Sequence, residues 1–438
     1  MYLLLFLLCQ LYCFSGFRWS PHLPRAMHKG VKPIQNGFFG TIGPNLKPNE
    51  VKSLAELFMG DGVIQGVFFH NGTPTFARHL VKTRKVKAGE NDNLFVMLSK
   101  YLLYKAGMYP YNTIGVANTA LMALTKPVDE NTTAMYALYE RDLPYLVYLY
   151  HNTSTIATIA QMDSFYPVIQ ELSGHSKIAD KAIDTINYHI WSNKLDFYQC
   201  NEKLNTVLSE KTVKMKYIPI VHDFISTPAA YIVLDSPMVY DFFRILRGKI
   251  PIVFNPFLPS FFHVINKSEK KVDTYECPGG YYIFHYADCE ETADAYIIHA
   301  PVYESLDFSE LNIAGKYRKL VLDKISKKVE THYDTELETM NLDFPIKGPN
   351  GTVLLRSIEN RRANGFVMMD GLRIKQNWLY DDVFFIGEHV VVGNNLMAFC
   401  IKNGANYLAM LNMETDTIDF LACSYDLTMG FHSTFILR

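Results

Sequence analysis

The sequence predicts an all-β fold, and three observations carry that prediction. Asn-Gly pairs begin at Asn36, Asn71, Asn350, Asn364 and Asn403, and Asp-Gly pairs at Asp61 and Asp370. Such pairs favour two-residue type I′ hairpins, because both central residues need φ > 0. Alternating apolar runs flank them, as in Gly66–Phe69 before Asn71, and Leu396–Ile401 turning at Asn403-Gly404 into Tyr407–Leu411. Aromatic residues make up 14% of the 438, with 28 Tyr and 29 Phe, and strands favour these types. Repeated short hairpins over this length suit a propeller or a sandwich. No strict internal repeat sets the number of sheets. No Pro/Ser linker or low-complexity run divides the chain, so one domain is expected.

Taken in order, the chain opens on an apolar run from Tyr2 to Phe14, followed by Ser15-Gly16. Residues 1–16 have the length of a signal-peptide core and are too short to span a bilayer. The run lacks a charged leader, so it reads equally as a membrane-touching segment. Routing to the endoplasmic reticulum or secretory path and a cytoplasmic location both stay open. Asn-X-Ser/Thr sequons at Asn71, Asn131, Asn152, Asn266 and Asn350 matter only on the first route. Seven Cys, odd in number and widely spaced, form no disulfide framework and no CxxC pair. Short helices or caps are expected within Asn152–Asp180 and Asp241–Gly248. Lys316–Tyr333 reads either as a Lys-rich amphipathic helix or as a hairpin.

Composition excludes several functions. A net charge of −2 leaves no electrostatic footprint for nucleic acid. There is no G-x-x-x-x-G-K-[ST] phosphate loop, no G-x-S-x-G elbow and no H-E-x-x-H pair.

Four histidines stand out instead. They are His175 in Ser-Gly-His-Ser-Lys, His222 in Val-His-Asp-Phe, His285 in Ile-Phe-His-Tyr-Ala-Asp, and His432 in Met-Gly-Phe-His-Ser-Thr. Spacings of 47, 63 and 147 residues mean that no single helix or hairpin can join them. Only a closed fold that returns several strands to one axis does so. Neutral imidazoles suit iron, zinc, copper and nickel, and an all-histidine set suggests redox-active Fe(II). The other ten, His22, His28, His70, His79, His151, His189, His263, His299, His332 and His389, have no ligand-like setting. They read as structural or surface residues, with His299 the one most expected to be buried.

From Gly40 onward the chain resembles the carotenoid cleavage oxygenases. The resemblance rests on Gly40-Thr41-Ile42-Gly43-Pro44-Asn45 and on Phe58-Met59-Gly60-Asp61-Gly62-Val63-Ile64-Gln65-Gly66-Val67. Asn118-Thr119-Ala120, Tyr136-Ala137-Leu138-Tyr139-Glu140, the four histidine segments, Leu342-Asp343-Phe344-Pro345 and Gly387-Glu388-His389-Val390-Val391 complete it, in the family's order. The resemblance implies a seven-bladed β-propeller over residues 30–438, with a short helical or loop cap over an axial metal site. It implies Fe(II) held by His175, His222, His285 and His432, and carboxylates behind the imidazoles at Glu140, Asp343 and Glu388. A carboxylate there fixes the tautomer and direction of the ring. Lys316–Tyr333 resembles a family hairpin and is assigned to strands.

The chain departs from the family at two places. Asp343 stands where Glu is usual and is one methylene shorter. His389 stands where Pro is usual. Tyr139 occupies the position where stilbene-cleaving members carry Lys. Glu291 matches a family acidic position, but also reads as a solvated charge at a strand end. The implied activity is dioxygenase cleavage of a carotenoid or apocarotenoid C=C bond to two carbonyls, with an apolar polyene and O2 as partners and peripheral membrane contact. Competing readings are stilbene cleavage, retinoid isomerisation, and a catalytically weak or inactive propeller that binds an apolar ligand.

Overall fold

The computed structural model describes residues 35–438, except 90–93, 167, 180, 190–191, 242, 245–251, 312 and 360. The N-terminal apolar run lies outside these residues, as does most of Asp241–Gly248. The described strands fall mostly into four-strand antiparallel groups, seven in all, beside the two-stranded ribbon Met238–Tyr240 with Ile252–Phe254. The first closes with the chain's last strand: Gly37–Pro44 pairs Gly62–His70 on one side and Ser433–Leu437 on the other, and Thr73–Leu80 forms the outer edge. Ala120–Ala123 to Thr155–Gln161 make the second and Lys177–Ala179 to Val207–Lys214 the third. Ile225–Ser226, Ala230–Asp235, Phe261–Asn266 and Val272–Glu276 make the fourth, and Asp288–Glu291 to Val329–His332 the fifth. Leu342–Lys347 to Arg373–Leu379 and Val383–Val392 to Thr417–Ala422 complete the set.

Contacts group the chain into two compact units, one ending at Gln170 and resuming over Phe242–Pro251 and Val383–Arg438, the other Glu171–Asp241 with Ile252–Asp382. Period-two alternation builds the core of each. In the first unit, Phe38 and Ile42 face one apolar cluster with Ile64 and Phe68, while Phe39 faces another with Val67 and Phe69. In the second, Ile232 and Leu234 join one cluster and Tyr231 and Val233 the other. Strands buried on both faces this way read as continuous apolar runs.

The turn signals divide by what surrounds them. Asn71-Gly72 has φ of 48° and 77°, and Asn403-Gly404 has 49° and 77°, as tight hairpins require. Asn350-Gly351 and Asp370-Gly371 also turn between paired strands. Asn36-Gly37, Asp61-Gly62 and Asn364-Gly365 do not. Gly37 and Gly62 begin strands, and Gly365 lies inside Arg362–Asp370. At Gly365 a Cβ would meet the Trp378 carbonyl oxygen at 2.0 Å, so glycine there serves backbone approach and not a turn.

Other expectations are corrected or met. Asn152–Asp180 holds the strands Thr155–Gln161 and Lys177–Ala179 and no described helix; among the described residues the α-helices are Leu54–Met59, Arg84–Ala88 and Leu94–Lys105. Lys316–Asp323 and Val329–His332 are paired strands, which settles the Lys-rich stretch as a hairpin. His299 is only partly buried, whereas His389 and His151 are 0% and 2% exposed.

Burial also sets a pH dependence. His79 and His151 are each pushed down to about 4, first by burial and then by Lys82 for His79 and by Arg438 and His70 for His151. Both stay neutral in the folded chain while their unfolded counterparts take up protons below about 6.5. Stability is therefore full above that pH and falls as pH drops towards 4, by up to about 3 kcal/mol for each histidine. Urea unfolding at pH 7 and pH 4.5, compared with His151→Gln, checks this; an unchanged pH slope in the variant refutes the contribution.

Candidate metal centre

Each predicted histidine lies in an irregular segment just before an edge strand of its sheet, not within the strand. His175 precedes Lys177–Ala179, His222 precedes Ile225–Ser226, His285 precedes Asp288–Glu291, and His432 precedes Ser433–Leu437. These positions free the rings from the alternation that the strand would impose.

Local hydrogen bonds fix the segments. The Ser173 hydroxyl oxygen accepts the His175 N–H at 3.0 Å, and Ser176 Oγ donates to the Ser173 carbonyl at 2.9 Å, a side-chain-built turn. Asp223, beside His222, is 5% exposed and ties three ligand segments together. Its Oδ1 accepts from Lys177 Nζ at 2.6 Å and from the Phe224 N–H at 2.7 Å; its Oδ2 accepts from the Tyr286 N–H at 3.3 Å. Lys177 follows His175 by two residues and Tyr286 follows His285 by one. Sequence reasoning missed this role, although the Asp of His-Asp-Phe was in view.

Three imidazoles thereby meet. His175 Nε2 and His222 Nε2 lie 2.9 Å apart. The ring centroids are 4.5 Å apart for His175 and His222, 5.3 Å for His175 and His285, and 5.2 Å for His222 and His285. With His432 they make a group of four whose ligand nitrogens all lie within 4.8 Å of one another.

Carboxylates back two of the rings. Asp343 Oδ1 is 2.8 Å from His285 Nδ1, and Tyr303 Oη donates to Asp343 Oδ2 at 2.6 Å. Burial works to raise the Asp343 carboxyl, but its electrostatic interaction and hydrogen bond with the His285 ring, and the bonds from Tyr303 and the Phe344 N–H, bring it below the ordinary carboxylate range. Glu388 Oε1 is 3.3 Å from His432 Nδ1, while its Oε2 accepts from the Ser433 N–H at 3.1 Å. Glu140 is buried, and its Oε2 accepts from Thr119 Oγ1 at 3.2 Å. Glu291 is exposed and paired with Lys324 at 2.9 Å, the solvated strand-end charge. Tyr139 and His389 are both buried. With Nδ1–H given to a carboxylate, Nε2 is the lone-pair nitrogen of His285, as a metal ligand requires.

The class that follows is an all-β propeller protein with a histidine-only group that could hold a metal ion. The family described as retinal pigment epithelial membrane protein matches residues 33–381, and the chain belongs to this family of carotenoid oxygenases. A Crocus sativus carotenoid 9,10(9′,10′)-cleavage dioxygenase is 23% identical over 353 residues, covering 74% of this chain and 62% of the relative. An Arabidopsis thaliana carotenoid 9,10(9′,10′)-cleavage dioxygenase 1 is 24% identical over 344 residues, covering 73% and 59%. The matched region thus spans about three fifths of those relatives. An apocarotenoid oxygenase variant from Synechocystis shares the fold at TM-score 0.72 and 18% identity, over 93% of this chain and 94% of that one. A lignostilbene dioxygenase from Pseudomonas brassicacearum does so at 0.73 and 16%, over 94% of both. The fold that the chain shares with these solved structures is a β-propeller.

Proposed function

We propose that this protein is a nonhaem Fe(II) dioxygenase that splits one C=C bond of a carotenoid or apocarotenoid. The observation that carries the reading is the group of four histidine nitrogens within 4.8 Å, with no thiolate or carboxylate among them. The donor set fits Fe(II): neutral imidazole nitrogens, with His285 and His432 backed by carboxylates at Nδ1. His175, His222, His285 and His432 would hold the ion, and Glu140, Asp343 and Glu388 would orient the rings. Bound there, Fe(II) supplies the redox chemistry that activates dioxygen.

The chain's own residues supply position and dryness. Phe284 stands edge-on to His222 at 5.4 Å between centroids, and Phe344 lies 4.8 Å from His285. Such rings exclude water and offer the apolar contact that a polyene needs. Held with one double bond at the centre, the substrate breaks its C=C and each carbon leaves as a carbonyl with one atom of O2. Regiochemistry is then a matter of positioning. That balance moves no proton, so no side chain is assigned as acid or base. Tyr139, in place of Lys, argues against stilbene cleavage.

Asp343 in place of Glu favours one second reading, a propeller that binds an apolar ligand without turnover. Incubating Fe(II)-loaded protein with apocarotenoids under air and under argon separates the two. Carbonyl products under air alone support the oxygenase; ligand uptake without cleavage in either gas replaces it with the binder. Metal binding is also expected to weaken as pH falls below about 6.5, because ligating imidazoles must be neutral. Metal titrations at pH 7.5 and 5.5 check this, and equal affinity at both contradicts it.

Peripheral membrane contact belongs to the same proposal, since polyenes dissolve in lipid. Met108 and Leu103, 68% and 42% exposed at the end of Leu94–Lys105, support it. No described helix is long and apolar enough to cross a membrane. Co-flotation with phospholipid vesicles tests the contact.

A further inference from the structure

We infer that Tyr303 is the positioning residue that makes the short Asp343 carboxylate workable in the metal centre, an inference that rests on the proposed metal-binding role of His285. Asp is one methylene shorter than the Glu that the resemblance leads one to expect, and the backbone compensates. Leu342–Lys347 carries a register shift between Asp343 and Ile346, and Phe344 adopts φ of 53°. A bulge with a left-handed, non-glycine residue is a costly local conformation, kept only where surroundings impose it. Here it brings Asp343 Oδ1 to 2.8 Å from His285 Nδ1.

Tyr303 completes the arrangement from the other side. Its hydroxyl donates to Asp343 Oδ2 at 2.6 Å, so each carboxylate oxygen has its own partner and the group cannot rotate away from His285. Tyr303 is itself pinned. Its backbone exchanges hydrogen bonds of 2.8 and 2.9 Å with Tyr282, and Phe284 packs edge-on at 5.1 Å between centroids. Behind it stands Gly315, where a Cβ would lie 2.9 Å from Tyr303 Oη and 2.5 Å from the Leu342 carbonyl oxygen. The phenol therefore has no space to retreat. A Glu at position 343 would need the volume that the hydroxyl fills, and Tyr303 thus selects Asp.

Metal affinity and ligand field read this role without any turnover assay. Co(II) titrations with chelator competition, and the visible Co(II) absorption bands, would be compared for wild type, Tyr303→Phe, Asp343→Glu, the double variant and His285→Ala. Losing an outer-shell partner should weaken Co(II) binding about 10-fold or more in each single variant and shift the bands. The double variant should bind more tightly than Asp343→Glu alone, because removing the hydroxyl makes room for the longer carboxylate. Tyr303→Phe with wild-type affinity and bands overturns the inference while leaving the metal centre standing. So does Asp343→Glu binding as tightly as wild type, a result that decides the matter even if Tyr303→Phe does not fold. Wild type binding no better than His285→Ala overturns both this inference and the metal-centre reading beneath it.

Discussion

His285→Ala is expected to remove the metal. The variant loses one of the histidine nitrogens gathered at the centre, and with it the ring that Asp343 orients at 2.8 Å. It also leaves a buried carboxylate with Tyr303 as its remaining side-chain partner. Two effects should appear together. Iron retained after purification should fall from stoichiometric to background, because outer-shell changes alone already cost about 10–100-fold and this one removes a ligand. The metal-free variant should lose about 1–3 kcal/mol of stability relative to metal-free wild type, from the broken buried hydrogen bond. Mass-spectrometric metal analysis beside urea unfolding checks both. Equal iron in variant and wild type would refute the assignment of His285.

Asp223→Ala is the second large expectation, and it acts without touching the metal. Asp223 receives Lys177 Nζ, the Phe224 N–H and the Tyr286 N–H, and so holds the approaches to His175, His222 and His285 in one arrangement. Truncation leaves two backbone donors without their acceptor and an ammonium without its ion pair. The Lys177 side chain is 35% exposed, so water replaces part of that pair, and the expected loss is about 2–3 kcal/mol. Metal affinity should fall in parallel, since three ligand segments loosen at once. Asp223→Asn keeps one acceptor oxygen and should fall between the two. A variant that unfolds earlier yet binds Co(II) with wild-type affinity would show that Asp223 supports the fold without ordering the ligands.

The histidine-bearing segments were legible because each carries its own local signature, and the resemblance supplied their common purpose. What the strands would do with them was less legible. The rings sit in irregular approaches to edge strands, where strand alternation has no say, and no periodicity reports such positions. Asp343 was legible as a departure from the expected Glu, but the bulge and the φ of 53° at Phe344 that suit its length were not. Tyr303 follows an apolar strand like many others in this aromatic-rich chain; its meaning comes only from Asp343, forty residues away. Helices also escaped notice. Leu94–Lys105 lies in an apolar stretch without a strong polar stripe, and short apolar runs do not separate helix from strand.

By itself, then, the sequence determined the local terms: all-β character, the hairpin at Asn403-Gly404, the alternation that sends Phe38 and Phe39 to different cores, and the identity of four ligand candidates. These depend on residues near one another in the chain, where dihedral preference and side-chain period act directly. Tertiary structure alone decided the rest. The same Asn-Gly pair turns at Asn403 and lies within a strand at Asn364, because the Trp378 carbonyl approaches Gly365 too closely for any side chain. Asp223 became the tie between ligand segments, and Tyr303 the partner of Asp343, through contacts between residues 40 to 63 positions apart. Which polar groups meet at such separations is fixed by how whole sheets pack, and no local rule in the sequence encodes it.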